Sequence, residues 1–387
     1  MDSPSPSSRA RVLILCFSPL ERDARVLRQI DTLSADFAVT TCGYGPPPRA
    51  GIEHVRLPDG LTAWKLDRPL VIARRFRRAY WKQESVVAAW KALQGREFDV
   101  ILADDVETVP LALALRPKAG VHADLHEYSP RLKEDLLPWR LFVAPYIRWI
   151  CRTAVAAATS VTTVSEGLAR EYEREFGFRT DVLTNAAPYQ DRRPAPVQSP
   201  VRMVHSGAAM PKRQLEVMIE AAMAVERDAP GSVVFDLYLT PNHPAYVQEL
   251  RELAAGSAGA VRVLDPVPHA DLPAALAAYD VGLFACPDTT FSLEHALPNK
   301  FFDYVQARLA IAISPSPEMV ALLERHDLGV RSAQMSASSF ADALRSLTPE
   351  RIAHFKQSAD RAARALSSEE EMPKLTAIVR RILEGAA

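Results

Sequence analysis

Short apolar runs that read as strands alternate with amphipathic runs that read as helices along almost the whole chain, and the alternation breaks only once. Such an order forces crossover connections, and crossovers give parallel sheets covered by helices on both faces. In the first half, strands are expected at Val12–Cys16, Phe37–Thr41, Val100–Ala103, Val121–Leu125, Ser160–Val164 and Asp181–Leu183. Helices are expected at Ala24–Leu33, Leu70–Leu93, Val109–Leu115, Arg140–Ala158 and Glu166–Glu175. The break comes at Ala186–Pro200, which holds four prolines and no apolar period and reads as an interdomain linker. Strands resume at Val201–Val204, Val233–Leu239, Val261–Leu264, Val281–Ala285 and Ala310–Ile313, and after Ser336 only helical patterns remain.

A chain of 387 residues exceeds one ordinary core, so two domains are expected. The division is a Ser- and Pro-rich tail at 1–10, a domain over 11–186, the linker at 187–200 and a second domain over 201–370. A C-terminal helix at 371–387 is free to cross back to the first domain. Two doubly wound α/β domains joined by a hinge would face each other across a cleft at the carboxyl ends of their sheets, where ligands are favoured.

Charge and composition narrow the function. A net charge of −1 gives no global attraction to nucleic acid, and no folded nucleic-acid recognition module is visible. The most apolar stretch, Leu141 to Val164, is interrupted by Arg148 and Arg152 and reads as buried helix plus strand rather than a membrane span. The first ten residues lack the apolar core of a signal peptide. Cys16, Cys42, Cys151 and Cys286 form no CxxC, so reduced thiols in a cytoplasm are expected, with neither a metal site nor a disulfide framework.

Two elements of the second half carry chemistry. Pro298-Asn299-Lys300-Phe301-Phe302-Asp303-Tyr304 opens a helix just after a strand, where backbone N–H groups and the helix dipole favour an anion. Lys300 adds a formal charge, and Asp303, one turn on, is able to accept two hydrogen bonds from a vicinal diol. His205-Ser206-Gly207-Ala208-Ala209-Met210-Pro211-Lys212-Arg213 follows the first strand of the second domain. Gly207 permits close approach of backbone to ligand. Lys212 and Arg213 are expected to begin the next helix, where cations oppose the dipole, and so to face a bound polyanion. Together the two loops suggest a diphosphate clamp; a solvated basic pair is the duller alternative.

In the first half, His126 follows the strand Val121–Leu125, flanked by Asp124 and Glu127, at the carboxyl end where a reacting group belongs. A purely structural histidine is the alternative. Asp104 and Asp105 end another strand and either orient an acceptor or cap the following helix, and capping is expected. Asp23 and Arg25 would form a loop ion pair lining the cleft, or else a helix-start acid and a solvated arginine. Arg68, Arg74, Arg75, Arg77, Arg78 and Lys82 interleave with Ile72, Phe76, Tyr80 and Trp81 as a basic amphipathic segment that would suit an anionic membrane surface or a lipid-diphosphate acceptor.

Gly207 with Arg213, then Asp280-Val281-Gly282-Leu283, the Pro298–Tyr304 element and Leu309-Ala310-Ile311-Ala312 resemble the donor half of GT-B glycosyltransferases, nearest the family 4-like group. The first half resembles it too, in Arg22-Asp23-Ala24-Arg25-Val26-Leu27, Asp124-Leu125-His126-Glu127-Tyr128 and Thr163-Val164-Ser165-Glu166-Gly167-Leu168. The likeness runs from about residue 11 to about residue 331. It implies a nucleotide-sugar donor held by the second domain, a glycan, lipid-linked or small-molecule acceptor near the first, and retention at the anomeric carbon with no cofactor or essential metal. By position, Gly207, Lys212, Arg213 and Lys300 would hold the diphosphate, Asp303 the ribose, and His126 would contact the transferred sugar. Asp23, Arg25, Asp104 and Glu127 fall on the acceptor side. The chain departs from the group's Glu-x7-Glu pattern: Asp303 stands for the second glutamate, and His295, with Glu294 beside it, for the first.

The expected activity is sugar transfer from a nucleoside diphosphate to an acceptor hydroxyl, in the cytoplasm or peripherally at the inner face of its membrane. A sugar-nucleotide epimerase or phosphorylase of similar architecture and a catalytically silent nucleotide-sugar-binding subunit are the alternatives. A nicotinamide dehydrogenase is disfavoured because neither domain's first strand leads into GxGxxG.

Overall fold

Strands form where Val, Ile and Leu run without interruption, because helices cover both faces of each sheet. Val12, Leu13, Ile14 and Leu15 are wholly buried, as are Val100 through Ala103. The computed structural model describes residues 9–62, 64–268 and 271–386. Its first sheet holds β1 (Arg11–Pro19), β2 (Ala38–Tyr44), β3 (Glu53–Arg56), β4 (Val100–Asp104), β5 (Gly120–Leu125), β6 (Ser160–Thr163) and β7 (Asp181–Val182). Their order is β3-β2-β1-β4-β5-β6-β7, and every pairing is parallel.

The second sheet holds β8 (Val201–Ala208), β9 (Val233–Thr240), β10 (Val261–Leu264), β11 (Val281–Phe284), β12 (Ala310–Ile313) and β13 (Gly329–Arg331). The order is β10-β9-β8-β11-β12-β13, again parallel throughout. In both sheets the winding reverses next to the first strand, between β1 and β4 and between β8 and β11. In open α/β sheets such a reversal opens a crevice at the carboxyl ends of the strands.

The chain divides into two compact units: residues up to Thr184 together with those from Glu371 onward, and Asn185–Glu370. The C-terminal helix Pro373–Glu384 belongs to the first unit, where Leu375, Ile378, Val379 and Ile382 share a core with Val12, Ile14, Val26 and Ile30.

Four expectations are corrected. Residues 187–200 are not a free tether but lie along the second unit: Gln306 Oε1 accepts from the Gln190 N–H at 3.1 Å, and Arg308 donates to the Gln190 carbonyl at 2.8 Å. The single helix expected at Leu70–Leu93 is three, Arg68–Ile72, Phe76–Tyr80 and Glu84–Leu93, with Arg74 in a left-handed conformation at the first break (φ 53°). Packing of the Phe76 ring on Tyr146 and Trp149, at 5.8 and 6.1 Å, holds the second piece in its own direction. The helix expected at Arg140–Ala158 is a π-helical turn, Trp139–Val143, followed by the helix Ala144–Thr153. The edge strands β3 and β13 are absent from the sequence reading because each is short and weakly patterned. Of the tail expected at 1–10, residues 1–8 fall outside the described residues; Arg9 donates to the Ser34 carbonyl at 3.4 Å.

Candidate functional site

In the second unit the reversal between β8 and β11 gathers basic groups. His205 and Gly207 lie near the end of β8, Phe284 ends β11, and Lys300 sits in the first turn of the helix Asn299–Gln306. The Lys300 ammonium lies 5.5 Å from the centre of the Phe284 ring. A Cβ added at Gly207 would stand 2.8 Å from Lys300 Nζ and 2.4 Å from its Cε, so the missing side chain is what lets the lysine lie across the backbone. Burial and the neighbouring Arg213 charge push the Lys300 pKa down to about 8, and Asp303 only partly opposes them. Lys300 thus lies against Gly207 at the strand end, within electrostatic range of Arg213 and Asp303.

His205, which the sequence reading left without a role, belongs here. Its Nδ1–H donates to the Leu283 carbonyl at 2.9 Å, and its ring stacks parallel to Phe284 at 6.0 Å. Burial, Lys300 and Arg213 hold its pKa at about 3, so the ring is neutral and Nε2 keeps its lone pair. The signal was its place two residues before Gly207, which a lone histidine does not reveal.

The rest of the expected donor set is placed as follows. Lys212 and Arg213 form a separate 3-10 turn, Pro211–Arg213, which ends at Gln214 in a left-handed conformation (φ 48°); the helix begins only at Glu216. The expected opposition to that helix's dipole is therefore corrected, and the pair's relevance rests on Arg213's proximity to Lys300. Lys212 is exposed. Glu294 is exposed at the end of the short helix Phe291–Glu294, whereas His295 turns inward, with Nδ1 3.1 Å from Glu318 and its ring 4.4 Å from Phe291.

In the first unit the corresponding reversal is acidic. Asp124, at 0% exposure, takes both Nε and Nη2 of Arg25 at 2.7 Å, the Gln29 amide at 2.7 Å and the Thr162 hydroxyl at 2.7 Å. Gln29 also donates to Asp104 at 2.8 Å. His126 lies among three carboxylates: Nε2 is 3.3 Å from Asp104 and 3.7 Å from Asp124, and Nδ1 is 3.5 Å from Asp105. Burial alone would lower its pKa, but Asp105, Asp104 and Asp124 together hold it well above the usual imidazole range. His126 is an imidazolium, suited to donate a hydrogen bond and not to act as a base.

Here too the structure corrects expectations. Asp23 is the helix-start acid, accepting from the Arg25 and Val26 N–H groups, while the Arg25 guanidinium pairs with Asp124. Arg25 is 5% exposed rather than solvated, and Asp104 is fully buried, so both serve the interior of this cluster rather than a surface facing an acceptor. Capping by Asp104 and Asp105 is replaced by the contacts to His126; the helix Val109–Ala114 begins after Thr108. Asp105 is in a left-handed conformation (φ 65°), which turns its carboxylate under the His126 N–H at 3.2 Å. Glu127 has an exposed side chain, while its carbonyl accepts from Tyr172 at 2.7 Å. The spacing of Asp104, Asp124 and His126 would suit a metal ion, but Asp124 already accepts four hydrogen bonds, and a metal there would have to displace Arg25. Beside the end of β1, Phe17, Arg22, Tyr44 and Trp64 line a cavity of about 560 Å³.

Two units, each a parallel sheet wound in this order, define the GT-B fold. Solved structures match nearly the whole chain. They include sucrose-phosphate synthase from Thermosynechococcus elongatus (TM-score 0.71, 13% identity, 97% of this chain and 100% of that one). HepE from Anabaena in complex with UDP matches at TM-score 0.69 and 14% identity, over 96% of this chain and 100% of that one. The α,α-trehalose 6-phosphate synthase from Burkholderia multivorans matches at TM-score 0.68 and 14% identity, over 98% of this chain and 100% of that one. No family model matches the sequence, and a search of curated proteins gives no match.

Proposed function

We propose that this protein is a glycosyltransferase, family 4-like, that moves a sugar from a nucleoside diphosphate to an acceptor hydroxyl with retention of configuration. The observation that carries the reading is Lys300 lying across Gly207 at the sheet reversal of the second unit, where burial first and the Arg213 charge second depress the lysine's pKa. A buried lysine whose charge is disfavoured, with a second cation acting on it, is explained by an anion that binds there. A diphosphate would supply that anion, with Asp303 one turn away for a ribose diol. The fold likeness to HepE, solved with UDP and with UDP-glucose, agrees with this.

In transfer, negative charge grows on the leaving diphosphate while positive charge develops at the sugar. Arg213, Lys300 and the N–H groups opening the helix Asn299–Gln306 would stabilise the first. His126, held as an imidazolium by its carboxylate neighbours, would contact the sugar by turning one N–H away from them, and no protein base is called on, since the departing diphosphate is able to take the acceptor's proton. The first unit would receive the acceptor, and the cavity beside β1 is a seat for it. Reduced, buried cysteines fit a cytoplasmic setting, where nucleotide sugars are available.

Thermal-shift measurements with UDP, GDP, ADP and their sugars test the reading. At least one diphosphate should raise the melting temperature, and Arg213→Ala and Lys300→Ala should abolish the shift. If every nucleotide leaves the melting temperature unchanged, the proposal fails. Donor turnover then separates a transferase from a silent binding subunit, and free epimerised sugar without acceptor would identify an epimerase.

A further inference from the structure

Of the seven large apolar side chains exposed among the described residues, six lie on two stretches of the first unit: Trp64 and Ile72 on one, Leu136, Leu137, Leu141 and Phe142 on the other. Ile72, Leu137 and Leu141 are each more than half exposed, at 58%, 56% and 54%. The stretches adjoin. The helix Arg68–Ile72 packs against the turn Trp139–Val143, and the Trp64 and Trp139 rings are 5.7 Å apart. Phe76, packed on Tyr146 and Trp149, pins the following short helix to the same base. The apolar side chains therefore stand on a folded platform rather than on a loose tip.

The charge around them is one-sided. Arg68, Arg74, Arg75, Arg77, Arg78 and Arg140 are all exposed. Residues 64–82 hold a single carboxylate, Asp67, which is engaged by Lys82 at 2.6 Å, and residues 136–152 hold none. On the adjoining turn, Glu134 pairs with Arg131 at 2.6 Å, and Asp135 is exposed. A chain of net charge −1 has thus concentrated arginine around its main exposed apolar patch. Water favours neither half of that combination, whereas a bilayer with anionic headgroups over an acyl layer accepts both. A second copy of the chain would bring arginine against arginine across a two-fold axis.

We propose that this face docks the first unit on an anionic phospholipid bilayer, with Leu136, Leu137, Leu141 and Phe142 entering the acyl boundary and the arginines meeting the headgroups. The docking is peripheral: among the described residues no helix is long and apolar enough to cross a membrane. The surface is composite, built from helices as short as five residues, so no single amphipathic helix carries it. The sequence pattern showed the arginines, but it placed Leu141 and Phe142 in a buried helix. The inference does not depend on the glycosyltransferase reading.

Co-sedimentation of the full chain with vesicles tests it, comparing phosphatidylcholine containing phosphatidylglycerol with phosphatidylcholine alone. Binding should require phosphatidylglycerol and weaken as salt rises. Each arginine reversed should cost about fivefold, so Arg74→Glu/Arg75→Glu/Arg77→Glu/Arg78→Glu should abolish binding. Leu137→Asp/Leu141→Asp should lower affinity about tenfold or more. All these side chains are exposed, so both variants should melt as the wild type does. Brominated phosphatidylglycerol should also quench wild-type tryptophan fluorescence, and less so in Trp64→Phe. Equal binding to both vesicle types, or unchanged binding by both multiple variants, would overturn the proposal. So would a concentration-dependent dimer that Leu137→Asp/Leu141→Asp dissolves while no vesicle binding is seen.

Discussion

The two sheets of this protein are wound in the same order, yet the crevice at each reversal carries the opposite charge. In the first unit, Asp104, Asp105 and Asp124 surround His126, and Arg25 with Gln29, from the helix Ala24–Leu33, pairs Asp124 and one oxygen of Asp104. In the second, Lys300 lies against Gly207 within electrostatic range of Arg213, and the nearby His205 stays neutral. The first cluster pairs most of its charges, although Asp104 Oδ2 has no hydrogen-bond partner and burial pushes the Asp104 pKa up to about 6; in the second, Asp303 only partly opposes the burial of Lys300. Paired buried charges such as Arg25 and Asp124 set structure, whereas a buried cation with incomplete counter-charge suits an anionic ligand. The same topology therefore serves two purposes, and the difference lies in which strand ends carry acids or bases.

The largest expected effect tests the paired side. Arg25→Ala would strand the buried Asp124 carboxylate without its bidentate partner. Removing one partner of a buried pair costs about 3–5 kcal/mol, so urea denaturation should show the first unit strongly weakened or unfolded. If Arg25→Ala melts like the wild type, the cluster is not structural and the contrast collapses.

Lys300→Ala should behave in the opposite way. The folded pKa of Lys300 lies below its ordinary value, so its charge opposes folding, and removing it should leave stability equal or higher. Diphosphate binding and turnover should fall instead, by about 2–4 kcal/mol in the barrier, as for a deleted donor to a developing anion. A Lys300→Ala protein that is destabilised but turns over donor normally would reverse the assignment.

How much of this was legible beforehand follows from the physics of each element. Alternation of apolar and amphipathic runs located eleven of the strands, because buried parallel strands need continuous Val, Ile and Leu; the helix Ala24–Leu33 and the strand Ala310–Ile313 match the expectation in full. The edge strands β3 and β13 escaped notice because a strand paired on one side needs no such run. The helix start that carries Lys300 was readable from its place after a strand, whereas the 3-10 turn that carries Arg213 was not. Arg25 and Asp104 were misjudged because burial of a charge depends on partners far away in sequence: Arg25 and Asp124 are 99 residues apart. His205 was visible but silent, since nothing local shows that its ring stacks on Phe284 and faces two cations.

A third test perturbs the acidic crevice at one further carboxyl. Burial, aided by the Asp105 charge, pushes the Glu107 pKa up to about 8, and Oε2 has no hydrogen-bond partner. Because the folded state holds this proton more tightly than the unfolded chain, its contribution is complete below about pH 4.5 and is lost as pH rises towards about 8. Glu107→Gln should therefore match the wild type at pH 4 and exceed it at pH 8. An equal stability difference at both pH values would show that Glu107 ionises freely.

The smallest effect is the most specific to the basic crevice. On the proposed reading a diphosphate would bind protonated Lys300, so affinity should be flat around pH 7 and fall above about 8, by up to about tenfold per pH unit. His205 has already lost its charge near pH 3, and the Cys286 thiol, raised by burial, titrates only near 11, so neither produces an inflexion at 8. Lys300→Arg keeps a charge that does not titrate in this range, and calorimetric binding curves for it should lose the decline. If wild type and Lys300→Arg decline alike, the titrating group lies elsewhere and the two cations do not share one ligand. If only the wild type declines, the opposition between the crevices is electrostatic at the level of a single side chain.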